Sequence, residues 1–130
     1  MILVDTSVWI QHLRRSDEDL SALLEADLVL SHPMVIGELS CGNLKNRADF
    51  LANLKALPAA ARARDEEVYA FLDRHKLFGK GICWIDAHLL ASALISHCGL
   101  WTRDRNLADV AAELKLPHRV PSINAVGLHR

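Results

Sequence analysis

The stretch Met1-Ile2-Leu3-Val4-Asp5-Thr6-Ser7-Val8-Trp9-Ile10 decides the fold. A short apolar run bounded by small polar residues suits a strand buried on both faces, the kind found in parallel sheets. Asp5-Thr6-Ser7 is side-chain chemistry that starts a helix, and Trp9 and Leu13 follow at helical spacing. The same order recurs downstream. Leu28-Val29-Leu30 leads to Pro33, which suits the first turn of a helix running to about Gly42. Leu100-Trp101-Thr102 leads to Asp104 and an amphipathic helix marked by Leu107, Val110, Ala111 and Leu114. A last short strand is expected near Arg119-Val120. Other helices are marked by Leu20, Leu23 and Leu24, by Phe50, Leu54 and Leu57, and by Val68, Phe71, Leu72 and His75. Gly79-Lys80-Gly81 reads as a flexible break. Ile85 to His97 is apolar nearly all round and is expected to be the most buried helix. Short apolar strands alternating with helices predict an α/β protein: a three-layer α/β/α arrangement with a short-stranded parallel sheet flanked by helices. Such sheets bind ligands beyond the carboxyl ends of their strands.

A chain of 130 residues fits one domain, read as spanning 1–130. At 51% hydrophobic and 24% charged residues it falls outside the disordered, collagen-like and coiled-coil classes. Net charge is −1, so any contact with nucleic acid must be local rather than a global basic field. Three cysteines without a CxxC pair read as small buried thiols in a reducing, cytoplasmic setting. No signal-like start and no apolar run of about 20 residues is present, so no membrane role is expected.

Sixteen acids are too many to share one job, and neighbourhood separates them. Asp17, Glu18, Asp19, Asp65, Glu66 and Glu67 sit at expected helix starts, where the macrodipole accounts for them. Asp73, Asp109 and Glu113 lie on polar faces. Four remain. Asp5 ends the first strand, Glu38 sits among Met34, Val35 and Cys41, Asp86 opens the buried helix, and Asp104 follows the third strand. Each has a plain structural reading. Asp5 and Asp86 can cap helices, Asp104 can start a turn, and Glu38 can pair with a buried arginine. Taken together, four converging carboxylates repel one another and call for a cation. Oxygen ligands without histidine or cysteine suit Mg²⁺ or Mn²⁺ rather than Zn²⁺, and such an ion serves phosphoryl chemistry.

In these segments the chain resembles the PIN-domain ribonuclease family, and within it the VapC-type toxin branch. Residues 1–10 resemble its first strand and acid. His32-Pro33-Met34-Val35-Ile36-Gly37-Glu38-Leu39 resembles the helix bearing the second acid. Trp84-Ile85-Asp86-Ala87-His88-Leu89-Leu90-Ala91 resembles the third segment, and Leu100-Trp101-Thr102-Arg103-Asp104-Arg105-Asn106-Leu107 the fourth. The resemblance implies a Mg²⁺- or Mn²⁺-dependent endoribonuclease toxin acting on transfer, ribosomal or messenger RNA. It further implies silencing by a VapB-type antitoxin, and a homodimer. On this reading Asp5 and Asp86 are direct metal ligands, while Asp104 and Glu38 act directly or through water. Activated water then attacks the phosphodiester in line, leaving 5′-phosphate and 3′-hydroxyl ends. Ser7 is expected to orient water or cap its helix; Thr102 is read as an ordinary strand threonine, with a water-orienting role as the alternative. Arg103 and Arg105 are expected to reach the RNA backbone. Trp9, Trp84 and Trp101 are expected in the core, and His88 is read as a satisfied core or interface histidine.

Three other readings compete. A haloacid-dehalogenase-like phosphatase needs a second acid two residues after the first, and Ser7 stands there. A response-regulator receiver needs an early acidic pair and a late lysine, neither of which is clear. A catalytically silent RNA-binding domain of the same fold has no use for four retained acids.

Overall fold

Three parallel strands form the sheet: β1 (Ile2–Val4), β2 (Val29–Leu30) and β3 (Gly99–Trp101). Their order is β2-β1-β3, so the first strand made lies in the middle. Ile2 pairs with Val29 on one side and Gly99 on the other; Leu3 faces Leu30 and Leu100. The structure, a computed structural model, describes residues 1–116; the strand expected near Arg119 and Val120 lies outside them. β2 is one residue shorter than its apolar run, and β3 is shifted back by one, so that Thr102 falls just past its end.

Seven helices connect and cover these strands among the described residues: α1 (Thr6–Arg14), α2 (Glu18–Glu25), α3 (Pro33–Ser40), α4 (Arg47–Ala56), α5 (Asp65–His75), α6 (Trp84–Ser96) and α7 (Arg105–Glu113). The core is built on β1 and α6. Leu3, Val4, Leu89, Leu90, Leu100 and Leu107 are fully enclosed, each burial contributing roughly 1.5–3 kcal/mol. α6 is buried without a break from Ala87 to Ala93, as its unrelieved apolar sequence requires. It packs on β3, α5 and α3, and α3 packs in turn on α1 and α4. The break before α6 contains Gly79 and Gly81, both with positive φ. At Gly81 a Cβ would meet Asn106 Nδ2 at 2.5 Å, so glycine there lets the loop lie against the start of α7.

Two expectations about packing fail. Cys41 and Cys83 are exposed, and only Cys98 is a buried thiol. Trp9 and Trp101 belong to the core, but Trp84 is 36% exposed. As the first residue of α6 it projects past the helix start and stacks on Tyr69 at a centroid distance of 4.9 Å.

His88 is fully buried, with Nε2 3.1 Å from Asp65 Oδ1 and its ring edge-on to Trp84. Close by, His32 is the N-cap of α3 and is also fully buried. Its Nδ1 accepts the amide of Met34 at 3.0 Å, which places the ring proton on Nε2, 2.9 Å from Ser92 Oγ.

Candidate active site

The chain leaves β1 for β2 on one side and later adds β3 on the other. A crevice therefore opens where β1 and β3 end. Asp5 follows β1 directly, and its amide continues the ladder by donating to Trp101 O at 2.9 Å. It holds the N-cap position of α1, yet its side chain binds none of the helix amides. Instead Asp5 Oδ2 accepts two hydroxyls, Ser7 Oγ and Thr102 Oγ1, each at 2.7 Å.

The direction of those protons is set by the acceptor. An ionised carboxylate only accepts, so each hydroxyl turns its single proton to Asp5 and uses a lone pair for a backbone amide: Ser7 Oγ accepts from Arg103 and Thr102 Oγ1 from Asp104, each at 3.0 Å. Hydrogen bonds to an ionised acceptor are worth roughly 1.5–3 kcal/mol each. The clamp therefore holds a carboxylate that is only 6% exposed in one orientation. Ser7 Oγ spends its proton on Asp5 and one lone pair on the loop after β3, and it does not cap α1.

The remaining acids share one pattern. Asp104 caps α7 through Oδ1, which accepts the amide of Leu107 at 3.1 Å. Asp86 lies in the first turn of α6, and its Oδ2 accepts the amide of Cys83 at 3.0 Å. Glu38 Oε1 accepts the Thr6 hydroxyl at 2.7 Å. In all four acids one oxygen is fixed by the protein, and the other has no protein partner among the described residues. The capping reading of Asp86 thus holds for one oxygen, that of Asp5 does not, and Asp104, read as a turn starter, is the N-cap of α7. The buried-arginine reading of Glu38 fails, because Glu38 is exposed and its partner is a hydroxyl.

Asp86 carries the electrostatic signature of the group. Partial burial pushes its carboxyl above the usual range, and the charges of Asp5 and Asp104 push the same way against the stabilising bonds from Cys83. Asp86 thus lies within electrostatic reach of both Asp5 and Asp104. Glu38 joins through Thr6, the residue next to Asp5. Among the described residues no three His, Cys, Asp or Glu side chains form a ready-made ion cage. The arrangement is a set of separately anchored carboxylate oxygens, and hard oxygen donors of this kind suit a divalent cation.

The flanking arginines differ. Arg103 Nη2 lies 3.6 Å from Asp17 Oδ2, which directs it toward the start of α2. Arg105 is exposed at the first position of α7.

The family pattern described as PIN domain matches residues 2–113, which contain all four acids and the clamp. The chain belongs to the PIN domain family. It is 46% identical over 117 residues to Ribonuclease VapC32 of Mycobacterium tuberculosis, in both strain CDC 1551 and strain H37Rv. The alignment covers 87% of this chain and 92% of the relative. A solved structure of FitAB bound to an IR36 DNA fragment superposes on this PIN domain with a TM-score of 0.52 at 23% identity. It covers 80% of this chain and 85% of that one, and bears on the fold alone. The VapC-type resemblance and the α/β class read from the sequence are borne out.

Two residues of this PIN domain do more than the sequence suggests. Thr6 reads there only as part of a cap, and Thr102 only as a weaker counterpart of Ser7. The one signal in the sequence is position: each is a hydroxyl beside a strand-end acid.

Proposed function

We propose that this PIN domain is a divalent-metal-dependent endoribonuclease, the toxin of a toxin–antitoxin pair. The observation that carries it is the clamp on Asp5. Two hydroxyls immobilise a buried carboxylate at the crevice while leaving its second oxygen uncommitted, beside Asp86 and Asp104 in like condition. The 46% identity to a protein named as a ribonuclease supports the same reading.

Asp5, Asp86, Asp104 and Glu38 are the residues that would hold Mg²⁺ or Mn²⁺. When bound, such an ion supplies charge neutralisation, polarisation of a phosphoryl oxygen and acidification of a water. The chain's own contribution is orientation. Ser7 and Thr102 hold Asp5, the start of α6 holds Asp86, and the start of α7 holds Asp104. Arg105 offers a cation to the RNA backbone without reading sequence, and Arg103 does the same once released from Asp17. The substrate is transfer, ribosomal or messenger RNA, and the products carry 5′-phosphate and 3′-hydroxyl ends.

We infer a VapB-type antitoxin and a second copy of the chain as protein partners, and a cytoplasmic location. Two apolar grooves supply surface for such partners. One, of about 320 Å³, runs past Ala63, Phe71, Ala91, Leu94 and Ile95; the other, of about 260 Å³, past Trp9, Leu13, Leu24 and Phe50. Among the described residues no helix is long and apolar enough to cross a membrane.

The experiment is an RNA cleavage assay with Mg²⁺ or Mn²⁺, with EDTA, and with an Asp5→Asn, Asp86→Asn double variant, followed by mapping of the 5′ ends. Cleavage that needs the metal and both aspartates is expected. Cleavage by the double variant at the parent rate, with contaminating nuclease excluded, overturns the proposal.

A further inference from the structure

We propose that Thr6 is a positioning residue for Glu38, the one link that holds this acid toward the metal site. The inference rests on the reading above, in which the four acids bind a divalent cation. Glu38 is the most loosely built of the four. Asp5, Asp86 and Asp104 are anchored at a strand end or a helix start, whereas Glu38 lies in the last turns of α3 and is exposed. An exposed glutamate has several side-chain torsions to lose when it is fixed. No lysine, arginine or histidine forms an ion pair with it among the described residues. Its carboxylate has one protein contact there, the 2.7 Å hydrogen bond from Thr6 Oγ1.

Thr6 is suited to the task. It is 8% exposed, it is the first residue of α1, and its backbone follows the rigid end of β1. A β-branched side chain has few rotamers to choose from, so the oxygen is held where the backbone places it. Its single proton goes to a carboxylate, the stronger kind of hydrogen bond. Fold stability gives little reason for the contact. α1 and α3 already pack on one another, and a valine has nearly the shape of threonine without the donor. Asp5-Thr6-Ser7 then has a division of labour. Asp5 supplies a carboxylate, Ser7 fixes it, and Thr6 reaches across 32 residues of sequence to fix the second acid.

The test is a double-mutant cycle on the full chain with Thr6→Val, Glu38→Ala and the pair together, plus Thr6→Ser as rescue. Mn²⁺ affinity is measured by calorimetry in the absence of RNA, kcat and KM by RNA cleavage, and folding by circular dichroism and melting. Thr6→Val is expected to weaken Mn²⁺ binding and lower kcat by about tenfold, the low end for residues that orient metal ligands, with KM for RNA unchanged. Thr6→Ser is expected to stay within about twofold of the parent, since it keeps the hydroxyl. In the Glu38→Ala background Thr6→Val is expected to add nothing. Parent-like Mn²⁺ affinity in Thr6→Val overturns the inference, and so does an undiminished effect in the Glu38→Ala background. If Glu38→Ala alone leaves metal binding and cleavage at parent levels, the four-acid reading falls and this inference with it. Should Thr6→Val not fold, Thr6→Ala carries the same expectations.

Discussion

His32 gives the protein an acid limit that can be calculated. The ring is fully enclosed, and burial, the nearby His88 and the charge of Arg62 together lower its pKa from 6.5 to about 4. The folded protein accepts the neutral ring, because Nδ1 must receive the Met34 amide that caps α3. The unfolded chain takes up a proton near pH 6.5, but the folded one only near pH 4. Between those values the unfolded state binds more protons, so stability is full above that window and is lost as pH falls through it. From pH 7 to pH 5 the loss from this one group is about 2 kcal/mol, since one proton bound only by the unfolded chain costs roughly 1.36 kcal/mol for each pH step below 6.5. The perturbation is His32→Asn, which retains a capping oxygen but cannot be protonated. Urea unfolding at pH 7, 6 and 5 measures both proteins. His88, Asp65 and Arg62 are present in both, so their contributions largely cancel in the difference. The parent is expected to lose about 2 kcal/mol more than the variant over this range. Parallel pH profiles, within about 0.5 kcal/mol, would refute the argument, since they would mean that His32 is not held neutral by its surroundings.

Three further outcomes follow from the same contacts. Asp86→Asn removes a charge that burial, Asp5 and Asp104 all oppose, so melting in EDTA is expected to rise while the gain in melting temperature on adding Mg²⁺ disappears. Thr102→Val deletes one of the two donors to Asp5 and is expected to lower metal-dependent cleavage by about 10–100-fold while leaving the circular dichroism spectrum unchanged. Titration with a thiol reagent is expected to find Cys41 and Cys83 reactive in the native protein and Cys98 reactive only after unfolding.

The parts of the fold that rest on unrelieved apolar runs are legible in the sequence. β1 is wholly apolar, and the middle of α6 is apolar enough that its burial from Ala87 to Ala93 is expected, although its ends are not buried. The strand-end acids are legible for a related reason: Asp5 and Asp104 interrupt or follow apolar segments, where an uncompensated charge demands a purpose. Glu38 stands out as a residue, but its surroundings differ from those its neighbours imply. Val35 and Leu39 bury one edge of α3, whereas Glu38, one position before Leu39, lies on the open side. On a helix of eight residues one position separates enclosure from solvent. The pairing of Arg103 with Asp17, the clamp from Thr102 and the reach of Thr6 to Glu38 all depend on which loops meet in space. Neither spacing nor propensity carries that information. Trp84 escapes the core because an aromatic residue at the tip of a helix need not share the burial of the residues that follow it.

The position of β1 at the centre of the sheet leaves its pairing unfinished until the last of the three strands is in place. The strand before Asp5 precedes its second neighbour, β3, by nearly a hundred residues, and the one donor that grips Asp5 from that side, Thr102, comes just after β3. A ribosome partway through the message holds a chain that already contains Asp5, Glu38 and Asp86, yet lacks the loop that locks the first of them. The grip on Asp5 is thus complete only when β3 has docked beside β1, so the orientation of this acid reports on the closure of the whole sheet.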